Sequence, residues 1–206
     1  MEFDIVRTIV SFVVLAFSVI VHEVAHGYVA YRLGDDTARE HERITLNPLP
    51  HIDIFGTIIL PLILSMTPGG VVLGWAKPVP VNPIYFRNPK QGMMWVSLAG
   101  PASNLGLAIL AGMLLRFLSD MGQAPKELLE TLCLMNIGLA VFNLVPIPPL
   151  DGSKVLAAFL PTEAAIKFLQ IESFGFIIIY ALLFIGLLNM VIWPIVVITF
   201  RFLTGI

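Results

Sequence analysis

Charged residues are scarce in this chain. Asp, Glu, Lys and Arg make up 13% of the 206 residues, whereas hydrophobic residues make up 57%. An average soluble domain carries about 25% charged residues, so this composition argues against a soluble fold and predicts a protein that crosses a lipid bilayer several times. The formal net charge of -2 provides no basic surface, and we therefore expect no nucleic-acid partner.

Cysteine is nearly absent as well. Cys133 is the single cysteine, which excludes an intrachain disulfide and leaves too few thiols for a cysteine-built zinc or iron–sulfur site. We interpret Cys133 as a small apolar residue in a helix-packing contact.

Long apolar runs define the predicted architecture. An α-helix needs about 20 apolar residues to cross the hydrocarbon core. Four runs reach this length: Ile5–Leu33, Gln91–Leu118, Glu127–Val145 and Phe174–Phe202. The last run is either one kinked span or a tight pair of helices, and we favour a pair that breaks near Asn189–Pro194. The sequence thus predicts an all-α polytopic membrane protein, a bundle of about four to six transmembrane helices.

The segments between these runs are irregular in composition. Arg39–Leu46 is predicted as a short strand or an extended loop, and a short amphipathic helix is predicted over Glu163–Gln170. Phe55–Met66 is too short to span a bilayer and contains Pro61, which favours a re-entrant segment. The prolines of Lys77–Pro83 exclude a continuous helix there and predict an extended loop at the membrane surface.

Basic residues suggest the orientation in the membrane. With the first helix running from outside to inside, eight of the twelve Lys and Arg residues fall in inner loops and four fall outside. The inner residues are Arg32, Arg39, Arg43, Lys77, Arg87, Lys90, Lys154 and Lys167, and the outer ones are Arg7, Arg116, Lys126 and Arg201. This bias predicts a multi-pass protein of the cell membrane with the end of the first helix nearer the cytoplasmic face.

That first helix carries His22, Glu23 and His26 in a His-Glu-x-x-His pattern. A charged group at the bilayer centre costs roughly 3 kcal/mol, so an intramembrane cluster of ionisable residues points to function. Residues four apart differ by about 40° around a helix, so both imidazoles can reach one metal ion. Glu23 projects about 100° away, where its carboxylate can act on a metal-activated water as a general base. The pattern predicts a zinc site within the membrane.

A catalytic zinc usually has a third protein ligand and leaves its fourth position to water, whose pKa falls to about 7. Asp151 is our choice for that ligand because it follows the end of a spanning helix, where ionisable groups are few. His51 and His41 are the rivals, since imidazole is also a good zinc ligand. Both histidines lie in the polar loop after the first span, nearer the surface than a buried site.

Three sequence motifs follow one another along the chain: His22-Glu23-Val24-Ala25-His26-Gly27, Gly100-Pro101-Ala102-Ser103-Asn104 and Asn143-Leu144-Val145-Pro146-Ile147-Pro148-Pro149-Leu150-Asp151-Gly152. Together and in this order, they resemble the site-2 protease family of intramembrane zinc metalloproteases. The chain looks like the short prokaryotic branch without a PDZ or CBS domain, and we treat residues 1–206 as a single intramembrane metalloprotease domain. The loop departs from that branch at Glu42-Arg43, where the branch tends to have Gly-Arg.

The resemblance implies one zinc ion per chain, bound by His22, His26 and Asp151, with Glu23 activating water. It also places Asn143 beside the site as a substrate contact. Asn143 or Asn104 could supply an oxyanion donor, and both could equally be hydrogen-bonding contacts between helices. Gly100, Gly106 and Gly112 are interpreted as points of close helix approach.

The implied reaction is hydrolysis of peptide bonds in or near transmembrane segments of membrane proteins. The expected partners are a membrane-protein substrate with a transmembrane helix and the lipid bilayer; the sequence does not predict the substrate's identity or the oligomeric state. Two alternatives stay open: a metal-bearing pseudoprotease that holds client helices without cutting them, and a metal-dependent transporter. Intact Glu23 argues against the first, and the absence of a repeated half argues against the second.

Overall fold

The computed structural model describes residues 5–59, 76–118 and 122–206, and it is all-helical, with no strand in these ranges. The α-helices are α1 (Ile5–Arg32), α2 (Thr37–Glu40), α3 (Pro89–Phe117), α4 (Gln123–Asn143), α5 (Asp151–Phe159), α6 (Thr162–Leu169), α7 (Glu172–Phe184) and α8 (Leu187–Thr204). Short 3-10 turns cover Leu49–His51 and Pro83–Tyr85, and a π-helical turn covers Ile54–Ile59. The all-α prediction is confirmed.

Within the described ranges, three helices are long and apolar enough to cross a membrane: α1, α3 and α8. The bent pair of α6 and α7, with 62° between its helices, could provide a fourth span. This number is lower than the predicted four to six. One reason is that α4, predicted as a span, carries Lys126, Glu127 and Glu130 in its first turns, which shortens its apolar part.

The C-terminal apolar run breaks at a different residue from the one predicted. The break falls at Gly186, whose φ of +78° is a left-handed conformation that glycine adopts readily. Pro194 lies inside α8 instead, as membrane helices tolerate when neighbouring groups compensate for the lost hydrogen bond. The predicted pair of helices is therefore confirmed, whereas the predicted break near Asn189–Pro194 was wrong, because the break lies at Gly186.

Several connecting segments can also be compared with their predictions. Arg39–Leu46 contains no strand, and α2 reaches into it. The short helix predicted over Glu163–Gln170 is α6, whereas α5 was not predicted. The proposed re-entrant segment Phe55–Met66 lies outside the described residues from position 60 onward.

The core forms where α3, α4 and α8 meet. Small side chains let these helices approach closely, and the fully buried Cys133 contacts the Ala108 carbonyl at 3.4 Å. The cluster consists of Ala108, Ala111, Leu115, Cys133, Ile137 and Val196. Large apolar side chains on the outer faces of α1 and α8 stay exposed, among them Phe12, Trp193 and Phe202, as expected of surfaces that face lipid. The packing role predicted for Cys133 is confirmed.

The extended segment 76–82 lies across the second half of α1. Its Val79 amide donates to the Glu23 carboxylate at 2.9 Å, and its Asn82 amide donates to the Asp35 carboxylate at 2.6 Å. On the opposite side, the Lys77 carbonyl accepts a hydrogen bond from Arg43 at 2.6 Å. Gly27 makes the close approach possible, because a Cβ there would lie 2.9 Å from a methyl group of Val79.

Among the described residues that follow α1, the non-glycine residue Glu42 lies in the left-handed region, with φ of 53°. This conformation costs roughly 1 kcal/mol or more for a residue with a Cβ. A glycine would occupy the same turn without strain, so Glu42 is the less favourable residue at this position.

We expect Glu42→Gly to raise the thermal unfolding midpoint in detergent, corresponding to a gain of up to about 1 kcal/mol. The matched control is Glu40→Gly, the same exchange at the exposed last residue of α2, which should give no gain in stability because glycine is unfavourable in a helix. A lower midpoint for Glu42→Gly would contradict the proposed strain.

Candidate metal centre

The two histidines of α1 face inward together. Their Nε2 atoms lie 3.0 Å apart, and the rings meet edge to face with centroids 4.6 Å apart. His22 is 7% exposed and His26 is 9% exposed, although both lie on a helix whose first turns are largely exposed. His22 is roughly 5 Å past the middle of α1 at 1.5 Å per residue, so the pair lies well inside the apolar bundle.

Asp151 completes the cluster from the first position of α5. Its Oδ2 atom lies 3.1 Å from His22 Nε2 and 3.2 Å from His26 Nε2. A tight loop after α4 aims it there: Gly152 packs so closely on this loop that a Cβ would lie 2.1 Å from the Leu144 carbonyl oxygen. The Ser153 amide and hydroxyl both bond to the Leu150 carbonyl, at 3.0 and 2.6 Å.

The hydrogen bonds behind the rings fix the tautomer of both histidines. His26 Nδ1 lies 2.7 Å from the Val96 carbonyl, and His22 Nδ1 lies 2.6 Å from the Asn104 side-chain oxygen. Both partners can only accept, so each Nδ1 donates its hydrogen, and a neutral ring then presents a lone pair at Nε2. Two lone pairs and a carboxylate oxygen therefore converge on one point, which a cation would stabilise.

This donor set fits zinc. Zinc takes imidazole nitrogen and carboxylate oxygen at about 2.0–2.2 Å, so ligand atoms around a tetrahedral ion lie roughly 3.3 Å from one another. The three separations found here, from 3.0 to 3.2 Å, are close to that spacing. In the part of the chain that the structure describes, these three residues form the one group of His, Cys, Asp or Glu side chains that could hold a metal.

Glu23 lies outside the donor set. Its carboxylate accepts the Val79 amide, and it is only partly buried at the side of the cluster. This arrangement matches the prediction that Glu23 projects away from the two imidazoles on α1. The carboxylate is held by a backbone contact and takes no position in the metal-ligating group.

The rival ligands lie elsewhere. His51 is buried, and its Nε2 donates to the Thr45 carbonyl at 2.9 Å within the loop after α1. His41 is exposed where α2 ends. Neither belongs to the His22, His26 and Asp151 group, so the structure favours Asp151 among the three candidates.

The two predicted asparagines differ in their positions. Asn104 is fully buried behind His22 and donates through its side-chain nitrogen to the Ser18 carbonyl and to Asn136, at 3.1 and 2.8 Å. Asn143 is partly buried near the end of α4 and donates to the Leu139 carbonyl of its own helix at 3.0 Å. A substrate contact by either residue stays a prediction, and the geometry gives Asn104 a contact with His22 that the sequence did not predict.

Sequence reasoning also missed Asn136 and Ser18. Both are fully buried and belong to the network behind His22. The spacing of Ser18, His22 and His26, four residues apart on one helix face, was a usable signal for Ser18. Asn136 had only its polar character within an apolar run to mark it.

Gly100 forms the wall of the cluster on α3. A Cβ at this position would lie 2.5 Å from Cε1 and Nε2 of His22 and 2.5 Å from Nε2 of His26, closer than side chains can pack. Gly112 likewise makes room for Leu203 of α8, whereas a Cβ at Gly106 would meet no atom within 4 Å. Close approach is thus confirmed for Gly100 and Gly112 and is not seen at Gly106.

The chain is similar in sequence to several proteins named as zinc metalloproteases. The chain is 38% identical over 202 residues to a Bacillus subtilis (strain 168) protein named "Putative zinc metalloprotease YwhC", covering 94% of this chain and 85% of that protein. It is 32% identical over 173 residues to "Putative zinc metalloprotease Rip2" of Mycolicibacterium smegmatis, covering 84% of this chain and 65% of that protein. "Zinc metalloprotease MJ0392" of Methanocaldococcus jannaschii is 29% identical over 151 residues, 73% of this chain and 34% of that protein.

A family model described as Peptidase family M50 matches residues 119–186, the part that contains Asp151. No solved structure matches the chain. The relatives, together with the apolar helices, identify a membrane metalloprotease. The chain belongs to peptidase family M50, the site-2 protease family.

We predict that Gly100→Ala will weaken zinc binding by about 10-fold or more, a loss typical of disturbed surroundings of a metal site. The added methyl group must displace the two imidazoles or separate α3 from α1. Zinc affinity would be measured in detergent by competition with a chromophoric chelator. Gly106→Ala on the same helix is the matched control and should bind zinc as the native protein does; equal affinity in the two variants would refute the prediction.

Proposed function

We propose that this protein is a zinc endopeptidase of the site-2 protease type that cleaves peptide bonds in or near transmembrane segments of membrane-protein substrates, as in regulated intramembrane proteolysis. One observation carries the proposal: the convergence of His22, His26 and Asp151 inside an apolar helical bundle. A group of ligands that can hold zinc inside the bundle suits hydrolysis in a region where bulk water is scarce.

Each residue of the site has a distinct role in this proposal. His22, His26 and Asp151 would hold one zinc ion, which supplies Lewis-acid activation of a water molecule and of the scissile carbonyl. Glu23 would act as the general base, taking a proton from the attacking water and passing it to the leaving amine. The Val79 amide holds the Glu23 carboxylate, which lies outside the ligating group.

The substrate must lose its helical structure to react. A transmembrane helix satisfies its own backbone hydrogen bonds, which shields the peptide carbonyls, so part of it has to unwind before water can attack. Two irregular segments lie near the site: the 76–82 segment beside Glu23 and the loop that precedes Asp151. Their backbone groups support binding of the unwound substrate as an added strand. The partners in this proposal are thus a membrane protein with a transmembrane helix and the surrounding lipid.

We also propose that α1 runs from the outside to the cytoplasmic side of the cell membrane. Two contacts involve basic residues of the group of four that we predict to lie outside. Arg7 pairs with Glu127 of α4 at 3.1 Å, and Arg116 donates to the Phe202 carbonyl of α8 at 3.4 Å. The group of eight basic residues, which includes Arg43, Lys77 and Lys90, is the one that the positive-inside rule assigns to the cytoplasm.

Zinc content and turnover of three variants test the proposed activity. Glu23→Gln should keep about one zinc per chain, because glutamine can still accept the Val79 amide, while cleavage of a membrane-protein substrate should fall by about 10²–10⁴-fold with loss of the base. His26→Ala and Asp151→Ala should lose stoichiometric zinc after dialysis against a weak chelator. Loss of zinc in Glu23→Gln would make Glu23 a ligand, and a native protein without zinc would refute the proposal.

Labelling of introduced cysteines tests the orientation. The native Cys133 is fully buried and should contribute little background. Leu49→Cys, at a residue 71% exposed after α1, should react with a membrane-impermeant maleimide only after the cells are opened. The control Ala124→Cys, exposed at the start of α4, should react in intact cells. The reverse pattern would place the site nearer the outer face.

A further inference from the structure

A closed polar network lies behind the metal centre, at the junction of α1, α3 and α4. Ser18, Asn104 and Asn136 come from these three helices in turn, and all three are fully buried. Asn104 donates to Asn136 Oδ1 at 2.8 Å, and Asn136 donates to Ser18 Oγ and to the Leu132 carbonyl, each at 2.8 Å. Ser18 in turn donates to the Val14 carbonyl at 2.7 Å.

The donors and acceptors of this network fit together in only one arrangement. The Asn104 nitrogen faces two acceptors, the Ser18 carbonyl and Asn136 Oδ1. Reversing the Asn104 amide would set its oxygen against both acceptors, which is unfavourable in a fully buried position. Asn136 is held in the same way, since its own nitrogen faces the Ser18 hydroxyl oxygen, whose hydrogen is directed to Val14.

The fixed amide of Asn104 selects the tautomer of His22. Its oxygen lies 2.6 Å from His22 Nδ1, so the ring carries its hydrogen at Nδ1 and presents the Nε2 lone pair to the cluster. A reversed amide would favour a hydrogen at Nε2, the atom that a metal must bind. His26 needs no such network, because the backbone carbonyl of Val96 selects its tautomer directly.

We propose that Asn136 and Ser18 are positioning residues of the metal centre, which act through Asn104 to keep His22 Nε2 free for zinc. Neither residue touches the three ligand atoms. The inference rests on the zinc site proposed above and extends it by two residues. The competing interpretation is that Asn136 only holds helices together, a common use of asparagine in membranes.

A double-mutant cycle on zinc affinity separates these two roles. If Asn136 acts through Asn104, then Asn136→Ala should weaken zinc binding by about 10-fold, and the double variant Asn104→Ala/Asn136→Ala should bind zinc as weakly as Asn104→Ala alone. Ser18→Ala should give a smaller loss in the same direction, because Leu132 still holds the Asn136 nitrogen. A purely packing role predicts additive losses, or none, and either result would overturn the proposal.

Cys133→Ala is the matched packing control. Cys133 is fully buried one turn before Asn136 on α4 and contacts α3, but it lies outside the network. It should lower the thermal unfolding midpoint while leaving zinc affinity unchanged; an equal loss of affinity in this variant would overturn the proposal. Should Asn136→Ala fail to fold, Ser18→Ala alone must show the smaller loss of affinity, and an unchanged value would overturn it.

The zinc content of the native protein separates failure of the proposed function from failure of the positioning role. Absence of zinc from native protein would defeat the proposed function and this inference together. Stoichiometric zinc in the native protein, with native affinity in Asn136→Ala, would defeat only the positioning role.

Discussion

The structure depends on one constraint: a polar group buried among apolar helices must find its hydrogen-bond partner within the protein, because the hydrocarbon offers none. The metal centre shows this constraint most clearly. Each imidazole uses Nδ1 to donate to a protein oxygen, and the two Nε2 atoms with the Asp151 oxygen are left facing one another within 3.2 Å. Because both Nδ1 atoms are paired, the two Nε2 atoms and the Asp151 oxygen are left to share one point, where a cation would be stabilised.

Glycine and other small residues make this arrangement possible. Gly100 lets α3 lie against the histidine rings, Gly27 lets the 76–82 segment lie against α1, and Gly152 lets the loop after α4 fold over the start of α5. In each case, a single methyl group would have to occupy space filled by another chain segment. The site is thus assembled by close backbone contact between elements far apart in sequence, which is why one helix and its motif cannot form it alone.

Much of the site could be predicted from the sequence, and the reason is periodicity. His22, Glu23 and His26 share one helix, so their relative directions follow from 3.6 residues per turn. Asp151 was predictable because ionisable groups are rare in this chain. Close helix approach was predictable at Gly100, but its contact with the histidine rings and the role of Asn136 were not, since both depend on how α3 and α4 pack on α1. The C-terminal break was misplaced because Pro194 is tolerated in the helix, whereas Gly186 ends the preceding one through its left-handed backbone.

The hydrogen bond from the Val79 amide to Glu23 couples the orientation of the Glu23 side chain to the position of the 76–82 segment. It joins the Glu23 carboxylate to a segment that is also held by Asp35 and Arg43. By reciprocity, whatever favours this position of the segment also favours this orientation of Glu23, and whatever moves the segment away weakens that orientation by the same free energy. The orientation of the Glu23 side chain therefore depends on what lies across α1.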